Sequence, residues 1–166
     1  MNPSQSVLRI RRIATHDEAD CCARMMSSSE PWITLGRDYA KSMDVLQQPN
    51  RESYLAESAK EIVGFIILNM DGPFAGYLQT VCVAREKRSM GIGPELVRFA
   101  EERIFRQSPN VFLCCSSFNP RSRRFYERLG YEKIGELKDY IIRGHSEILM
   151  RKTTGPWNDF REAAKQ

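Results

Sequence analysis

Residues 83–106 read VAREKRSMGIGPELVRFAEERIFR, and this stretch decides the fold. The segment 76–83, rich in β-branched and aromatic residues, predicts a strand that ends where the stretch begins. A charged loop follows, and Gly91 and Gly93 then open a helix with Pro94 in its first turn. One face of this helix is apolar and the other is charged, which is typical of a helix packed on a core. The apolar face consists of Leu96, Val97, Ala100 and Ile104. The stretch predicts a strand–loop–helix unit.

The entrance of this helix has the physical features of a phosphate site. Glycine permits positive φ and close approach of a ligand to the backbone. The first N–H groups of a helix lack intrahelical acceptors and carry partial positive charge, and Arg85, Lys87 and Arg88 add more. A Walker loop is excluded because Gly93 is not followed by lysine, and the dinucleotide fingerprint because Leu96 replaces its third glycine. The alternative is a tight turn into a core helix.

Outward from this unit, the patterns predict an α+β (α/β-like) domain with a mixed sheet and helices on both faces. Thr15 and Glu18 form a capping box at the start of the first helix, and Asn119 and Pro120 open the last. The predicted order is β-α-α-β-β-β-α-β-α-β-β, with strands at 8–13, 53–57, 61–69, 76–83, 110–115, 131–137 and 146–151 and helices at 15–26, 38–47, 91–106 and 119–129. We expect the domain to span 1–152. The polar tail 153–166 either docks through Trp157 or stays mobile.

Composition favours an ordinary globular protein, with 166 residues, 42% apolar and 28% charged. The longest apolar run, 62–70, is too short to span a bilayer, and residues 1–12 lack the apolar core of a signal peptide. We therefore expect a cytoplasmic protein that does not bind membranes. A net charge of +4 does not indicate nucleic acid, and the central strands lack a basic patch with interleaved aromatics, so we expect no nucleic-acid partner. The arginines in 121–128 form a second basic cluster, which fits either a solvated face or a polyanion site.

The cysteines and histidines predict neither disulfides nor a metal site. The five cysteines are odd in number and include no C-x-x-C pair, so we interpret them as small buried hydrophobes in a reducing compartment: Cys21, Cys22, Cys82, Cys114 and Cys115. The two histidines, His16 and His145, are isolated.

Two segments of the chain resemble signatures of the GNAT superfamily of acetyl-CoA-dependent N-acetyltransferases. Arg88, Gly91 and Gly93 fit the acyl-CoA loop, in which two residues separate an Arg or Gln from Gly-x-Gly or Gly-x-Ala. Residues 78–83 are similar to the family's central strand. Downstream, residues 119–131, NPRSRRFYERLGY, resemble the second signature, in which Asn opens a short helix and an aromatic-Tyr pair precedes a Gly-aromatic strand start. The resemblance covers about 9–152.

The resemblance implies a mostly antiparallel sheet of about seven strands, splayed between the fourth and fifth, with acetyl-CoA as co-substrate in the cleft. The backbone of Val81, Cys82 and Val83 would bind the pantetheine arm as an added strand does. Asn119 would reach the pantetheine region, and Arg124 the adenosine phosphates. The pyrophosphate would lie on the backbone N–H groups of the loop: Arg88, Ser89, Met90, Gly91, Ile92 and Gly93.

Tyr126 is the general acid that the resemblance implies, since a positioned phenol can protonate the departing thiolate. The alternative is a ring that only packs. Many family members carry a Glu base on the central strand, but Tyr77 occupies about that position here, and Gln79 cannot act as a base. A base acting through water stays open, with Glu30 or Asp71 as candidates.

Two functions follow from these observations. The leading one is an enzyme that transfers acetyl directly, in a ternary complex without a metal, to an amine of a small molecule, a protein N-terminus or a lysine. The alternative is a non-catalytic module that senses acyl-CoA. Tyr126 favours the enzyme, whereas the missing strand Glu favours the module. The chain would act as a monomer or homodimer, and candidate acceptor contacts are Glu30, Trp32, Tyr77 and Tyr140.

Overall fold

The computed structural model of the protein describes residues 7–163. Within them, seven strands form: β1 Arg9–Arg12, β2 Arg51–Ser58, β3 Glu61–Asn69, β4 Tyr77–Val83, β5 Asn110–Ser116, β6 Glu132–Lys138 and β7 Ser146–Thr153. The helices of the same described residues are α1 His16–Ser27, α2 Tyr39–Gln47, α3 Ile92–Ile104, α4 Pro120–Arg128 and α5 Trp157–Ala163. None of these helices has the length and apolar character needed to cross a lipid bilayer.

The strands form a mixed sheet in the order β1-β2-β3-β4-β5-β7-β6. The pairs β1–β2, β5–β7 and β6–β7 are antiparallel, whereas β4 and β5 are parallel. Tyr77 sets the β4–β5 register by pairing with Phe112, whose N–H donates to the Gly76 carbonyl at 3.0 Å. The predicted mixed, mostly antiparallel sheet is confirmed.

The described chain forms two compact units, the first comprising residues 7–67 and 80–99. Its core lies between α1, α2 and strands β2–β4, and it consists of Ala19, Cys22, Ala23, Met26, Met43, Val45, Leu46, Leu55, Phe65, Ile67 and Cys82. The predicted capping box of α1 is confirmed: the Glu18 N–H donates to Thr15 Oγ1 at 3.2 Å, and the Glu18 carboxylate accepts from the N–H of Thr15. Arg11 on β1 donates to the same carboxylate at 2.7 Å and ties the helix start to the strand.

Gly64 on β3 is required by close packing in this unit. A Cβ there would lie 2.7 Å from the Cys82 carbonyl oxygen and 3.2 Å from Leu96 Cδ1. The first contact is with backbone, which cannot rotate away. A glycine therefore allows β3 to approach β4 and α3 together.

The second unit comprises residues 68–79 and 100–163. Its strands β5 and β7 pair along their length, from Asn110 with Thr153 to Ser116 with Glu147. Asn119 caps α4 by accepting the Ser122 N–H at 3.1 Å, and Pro120 is the first helical residue, as predicted. Lys152 on β7 forms an ion pair with Glu101 at 2.7 Å.

Two details differ from the expectations. The tail includes the short helix α5, in which Trp157 and Phe160 contact each other edge to face and Arg161 lies over the indole. These contacts are local, because the residues lie about one helical turn apart, and the polar composition of the tail did not predict them. Residues 164–166 lie outside the described chain. Of the five free cysteines in the described part, Cys21 is exposed rather than buried, because it lies one residue from buried Cys22 and so on another side of α1.

Candidate functional site

The loop between β4 and α3 has a fixed shape. Residues Arg85–Lys87 form a short 3-10 turn, and the N–H of Ala84 donates to the Val63 carbonyl on β3 at 2.9 Å. Ser89 and Gly91 then have positive φ values of 65° and 83°. Positive φ at Gly91 is the reason for a glycine here, since an L side chain rarely adopts it.

The start of α3 presents N–H groups outside the helical hydrogen-bond ladder. The first bond of the ladder runs from the Glu95 N–H to the Gly91 carbonyl at 3.3 Å. The N–H groups of Ile92 and Gly93 come earlier in the chain and so have no acceptor within the helix. A Cβ placed on Gly91 would meet no atom within 4 Å, so the backbone here is open to a ligand. The arrangement can bind an anion such as pyrophosphate.

Basic residues flank this helix start. Arg88 donates to the Val83 carbonyl and to Ser29 Oγ, each at 3.2 Å, so its guanidinium is held against the end of β4. Lys87 pairs with Glu61 at 3.0 Å, and Arg85 is exposed. In the basic cluster predicted from sequence, Lys87 and Arg88 therefore contact other protein groups, whereas Arg85 lies on the surface.

The segment of β4 expected to bind the pantetheine arm alternates in burial. Cys82 is 2% exposed within the core of the first unit, whereas Val81 and Val83 are half-buried. Burial raises the pKa of the Cys82 thiol to about 12, even though Arg88 lowers it. A thiol with this pKa is protonated near neutral pH and is a poor nucleophile.

In the second unit, α4 holds the residues of the second signature. Asn119 is committed through its side-chain oxygen to the cap of α4, and Arg124 is exposed. Arg123 pairs with Glu127 on the same helix at 2.8 Å. Arginines in 121–128 thus lie on the solvated surface of this helix, where Arg123 takes part in a local ion pair.

Tyr126 is buried on α4, with 7% of its surface exposed. Its ring contacts Phe125 and Tyr131 edge to face, with centroids 5.0 and 5.6 Å away. Burial is the main reason that the pKa of its phenol is raised, and Cys115 adds to the effect. The phenol is fully protonated at neutral pH, so it can donate a hydrogen bond, and packing fixes the ring.

Tyr77 meets a group of polar side chains that the sequence did not single out. Its phenol interacts with the Cys114 thiol, and its pKa is raised mainly by burial. Next to them, Ser116 Oγ donates to Glu147 Oε1 at 2.7 Å, across the register pair of β5 and β7. Glu147 is 6% exposed, and burial raises its pKa. The one signal in the sequence is a carboxylate directly before the apolar run 148–150.

The remaining candidate base and acceptor residues lie in different settings. Glu30 is exposed and accepts the Thr34 N–H at 3.2 Å, while Trp32 is half-buried against the core of the first unit. Tyr140 is 66% exposed in the loop between β6 and β7 and lies near Tyr77. Asp71 is exposed in the turn after β3. Of the predicted acceptor residues, Tyr77 and Tyr140 thus belong to the second unit, and Glu30 and Trp32 to the first.

Comparison with known proteins gives one family and several related structures. Residues 13–131 match the model of the acetyltransferase (GNAT) family, which is more than half of the chain. An uncharacterized N-acetyltransferase of Methanocaldococcus jannaschii is 34% identical over 101 residues, covering 60% of this chain and 64% of the relative. The match thus spans less than two thirds of that relative.

Two solved structures are similar along most of their length. An aminoglycoside 6'-N-acetyltransferase complexed with coenzyme A has a TM-score of 0.71 and 20% identity, covering 89% of this chain and 98% of that one. A spermidine N-acetyltransferase from Vibrio cholerae, in complex with CoA and spermine, has a TM-score of 0.69 and 15% identity, with coverage of 88% and 95%. At these identities, the likeness establishes a shared fold.

Proposed function

Because this chain belongs to the GNAT family of acetyltransferases, we propose that it transfers the acetyl group of acetyl-CoA to the nitrogen of a primary amine. Transfer is direct, in a ternary complex of protein, acetyl-CoA and amine. The structural neighbours act on an aminoglycoside and on spermidine, so small polyamines are the first acceptors to test, beside peptide N-termini and lysine. The free thiols of the described cysteines fit a reducing, cytoplasmic setting.

The observation that carries the proposal is the open start of α3. Acetyl-CoA carries a pyrophosphate, and the N–H groups of Ile92 and Gly93 provide unpaired donors at the positive end of a helix. Gly91 leaves open space beside them, and Arg85 supplies a positive charge on the surface. We place the pyrophosphate on the loop from Arg88 to Gly93 and the pantetheine arm along Val81–Val83.

Catalysis then consists of proton movements around one nucleophilic attack. The neutral amine attacks the thioester carbonyl carbon, a C–N bond forms, and the C–S bond breaks with its electron pair on sulfur. We assign Tyr126 as the donor to that sulfur. Its raised pKa makes it a weaker acid than a free phenol, while a thiol has a pKa of about 8.5. Tyr126 therefore stabilises the leaving thiolate by donating a hydrogen bond to it. The proton that completes CoA–SH comes from the attacking nitrogen, which must lose a proton to become the amide.

The second function, an acyl-CoA sensor, is favoured by one observation. By the resemblance to the GNAT superfamily, Tyr77 takes the place of the carboxylate base that many family members carry, and the raised pKa of its phenol prevents it from acting as a base near neutral pH. A sensor would bind acetyl-CoA and turn over no amine.

Two assays on the purified chain separate the functions. Calorimetry measures acetyl-CoA binding, and free-thiol release measures turnover with a panel of polyamines, aminoglycosides, amino acids and peptides. Amine-dependent thiol release with an acetylated product supports the enzyme. Tight binding without turnover of any acceptor supports the sensor, and absence of binding contradicts both.

A further inference from the structure

Glu147 is a buried carboxylate without a cationic partner. It is 6% exposed, and Ser116 Oγ donates to one of its oxygens at 2.7 Å. Within residues 7–163, no lysine, arginine or histidine forms an ion pair with it, and burial and the Ser116 hydrogen bond account for the shift of its pKa. Elsewhere in the same unit, the half-buried Glu101 has Lys152 at 2.7 Å.

Such a carboxylate is costly to the fold. Removing a charge from water without an opposite charge costs several kcal/mol, so buried carboxylates are usually paired. One hydroxyl compensates for only part of that cost. A ligand that brings a positive charge to the second carboxylate oxygen would complete the site, and an ammonium group supplies that charge together with hydrogen-bond donors.

The geometry points to Glu147 as the residue that receives the ammonium group of the acceptor and takes its proton, with Ser116 as a positioning residue; this inference rests on the proposed acetyl transfer. The acceptor R–NH₃⁺ gives one proton to the Glu147 carboxylate. The neutral R–NH₂ attacks acetyl-CoA, the C–S bond breaks, and a second proton passes from the nitrogen to the departing thiolate, giving R–NH–acetyl and CoA–SH. Glu147 then releases its proton to solvent, which restores the carboxylate.

The titratable groups around Glu147 do not change charge below pH 7, so an acid-side break in the pH profile is assigned to Glu147. The titratable groups that interact electrostatically with Glu147 are the thiols of Cys114 and Cys115 on β5 and the phenol of Tyr77 on β4. Burial raises the pKa of all three, to about 12 for Cys115, so they stay neutral below pH 7. On β6 its register partner is the apolar Leu137, flanked by two exposed residues, Glu136 and Lys138.

The main test is Glu147→Gln, which keeps the shape and an acceptor for Ser116 but cannot take a proton. We expect kcat/KM for the amine to fall by about 10²–10⁴-fold. Wild type should show an acid-side break in kcat/KM that the variant lacks, its rate rising with pH as the amine deprotonates unaided. The deficit should shrink for weakly basic amines, which are already neutral. Glu132→Gln, on the exposed surface of β6, removes a charge without touching this group and should behave as wild type.

A second variant changes the pKa of Glu147 without removing it. The Ser116 hydrogen bond lowers that pKa, so Ser116→Ala should move the acid-side break to higher pH. Replacing His145, an exposed imidazole on the loop before β7, should leave the break where it is. Unchanged pH profiles and kcat/KM within twofold of wild type in both Glu147→Gln and Ser116→Ala would overturn the inference.

The inference also predicts the stability of the Glu147→Gln variant. A raised pKa means that folded Glu147 binds its proton more readily than the unfolded chain does, so wild type loses stability as pH rises above the ordinary carboxyl range. Glu147→Gln removes this loss, and its Tm at pH 7 should equal or exceed that of wild type. A lower Tm contradicts the reading of an unpaired carboxylate. If wild type turns over no amine, the proposed function fails; if wild type is active and the variant matches it, this inference alone fails.

Discussion

Replacing Gly91 with Ala tests whether the loop before α3 binds the pyrophosphate. In the free protein the added Cβ meets no atom within 4 Å, so the cost comes from the backbone, held at φ 83°. An L residue in this region costs about 1–2 kcal/mol, which corresponds to a Tm lower by about 2–8 °C in a chain of this size. If the loop relaxes to a smaller φ, the N–H groups of Ile92 and Gly93 turn away from the phosphate. Each lost hydrogen bond to a charged group costs about 1.5–3 kcal/mol, or about 10–150-fold in Kd.

Gly72 provides a matched control. It has the same φ of 83° and the same open space, but lies in the turn after β3. Calorimetry with acetyl-CoA should show weaker binding for Gly91→Ala and unchanged binding for Gly72→Ala, while both lose similar stability in thermal unfolding. Equal affinity in wild type and Gly91→Ala, or an equal loss in both variants, would refute the placement of the pyrophosphate.

Three further predictions concern single side chains. Tyr126→Phe keeps the ring packing and deletes the donor, so kcat should fall by about 10²-fold with acetyl-CoA affinity unchanged; wild-type kcat with chemistry rate-limiting contradicts the assignment. Cys82→Ala should keep most of the activity, because a thiol with a pKa of about 12 is not a nucleophile near pH 7. An acetylated Cys82 that is detected by mass spectrometry and passes its acetyl group to the amine would overturn direct transfer. The pKa of Glu18 is lowered to about 2, chiefly by the hydrogen bond from Arg11, so its stabilisation is fully present above pH 4.5 and lost as pH falls toward 2. Glu18→Gln should therefore cost about 1 kcal/mol at pH 7 and almost nothing at pH 2 in denaturant titrations, and a pH-independent difference speaks against the ion pair.

Local signals account for what the sequence predicted well. The capping box at Thr15 and Glu18, the Asn119-Pro120 helix start and the entrance of α3 each depend on residues within one or two turns. A helix start is determined by hydrogen bonds between residues that are close in sequence, so these boundaries are close to those predicted.

Long-range pairing accounts for what the sequence missed. Glu147 meets Ser116 only through the β5–β7 register, 31 residues apart, and no periodicity reports on such a pair. Its burial likewise depends on strands that are distant in sequence. The short helix α5 was missed for a different reason, since few apolar residues mark a helix of seven residues.

Amine-dependent release of CoA tests the central claim most directly. Purified chain is mixed with acetyl-CoA and each acceptor, free thiol is followed with time, and the product is identified by mass spectrometry. We predict that release depends on both an amine and the protein and that the product is the N-acetylated amine. Saturable acetyl-CoA binding with no thiol release above the protein-free rate for any amine class would contradict the claim.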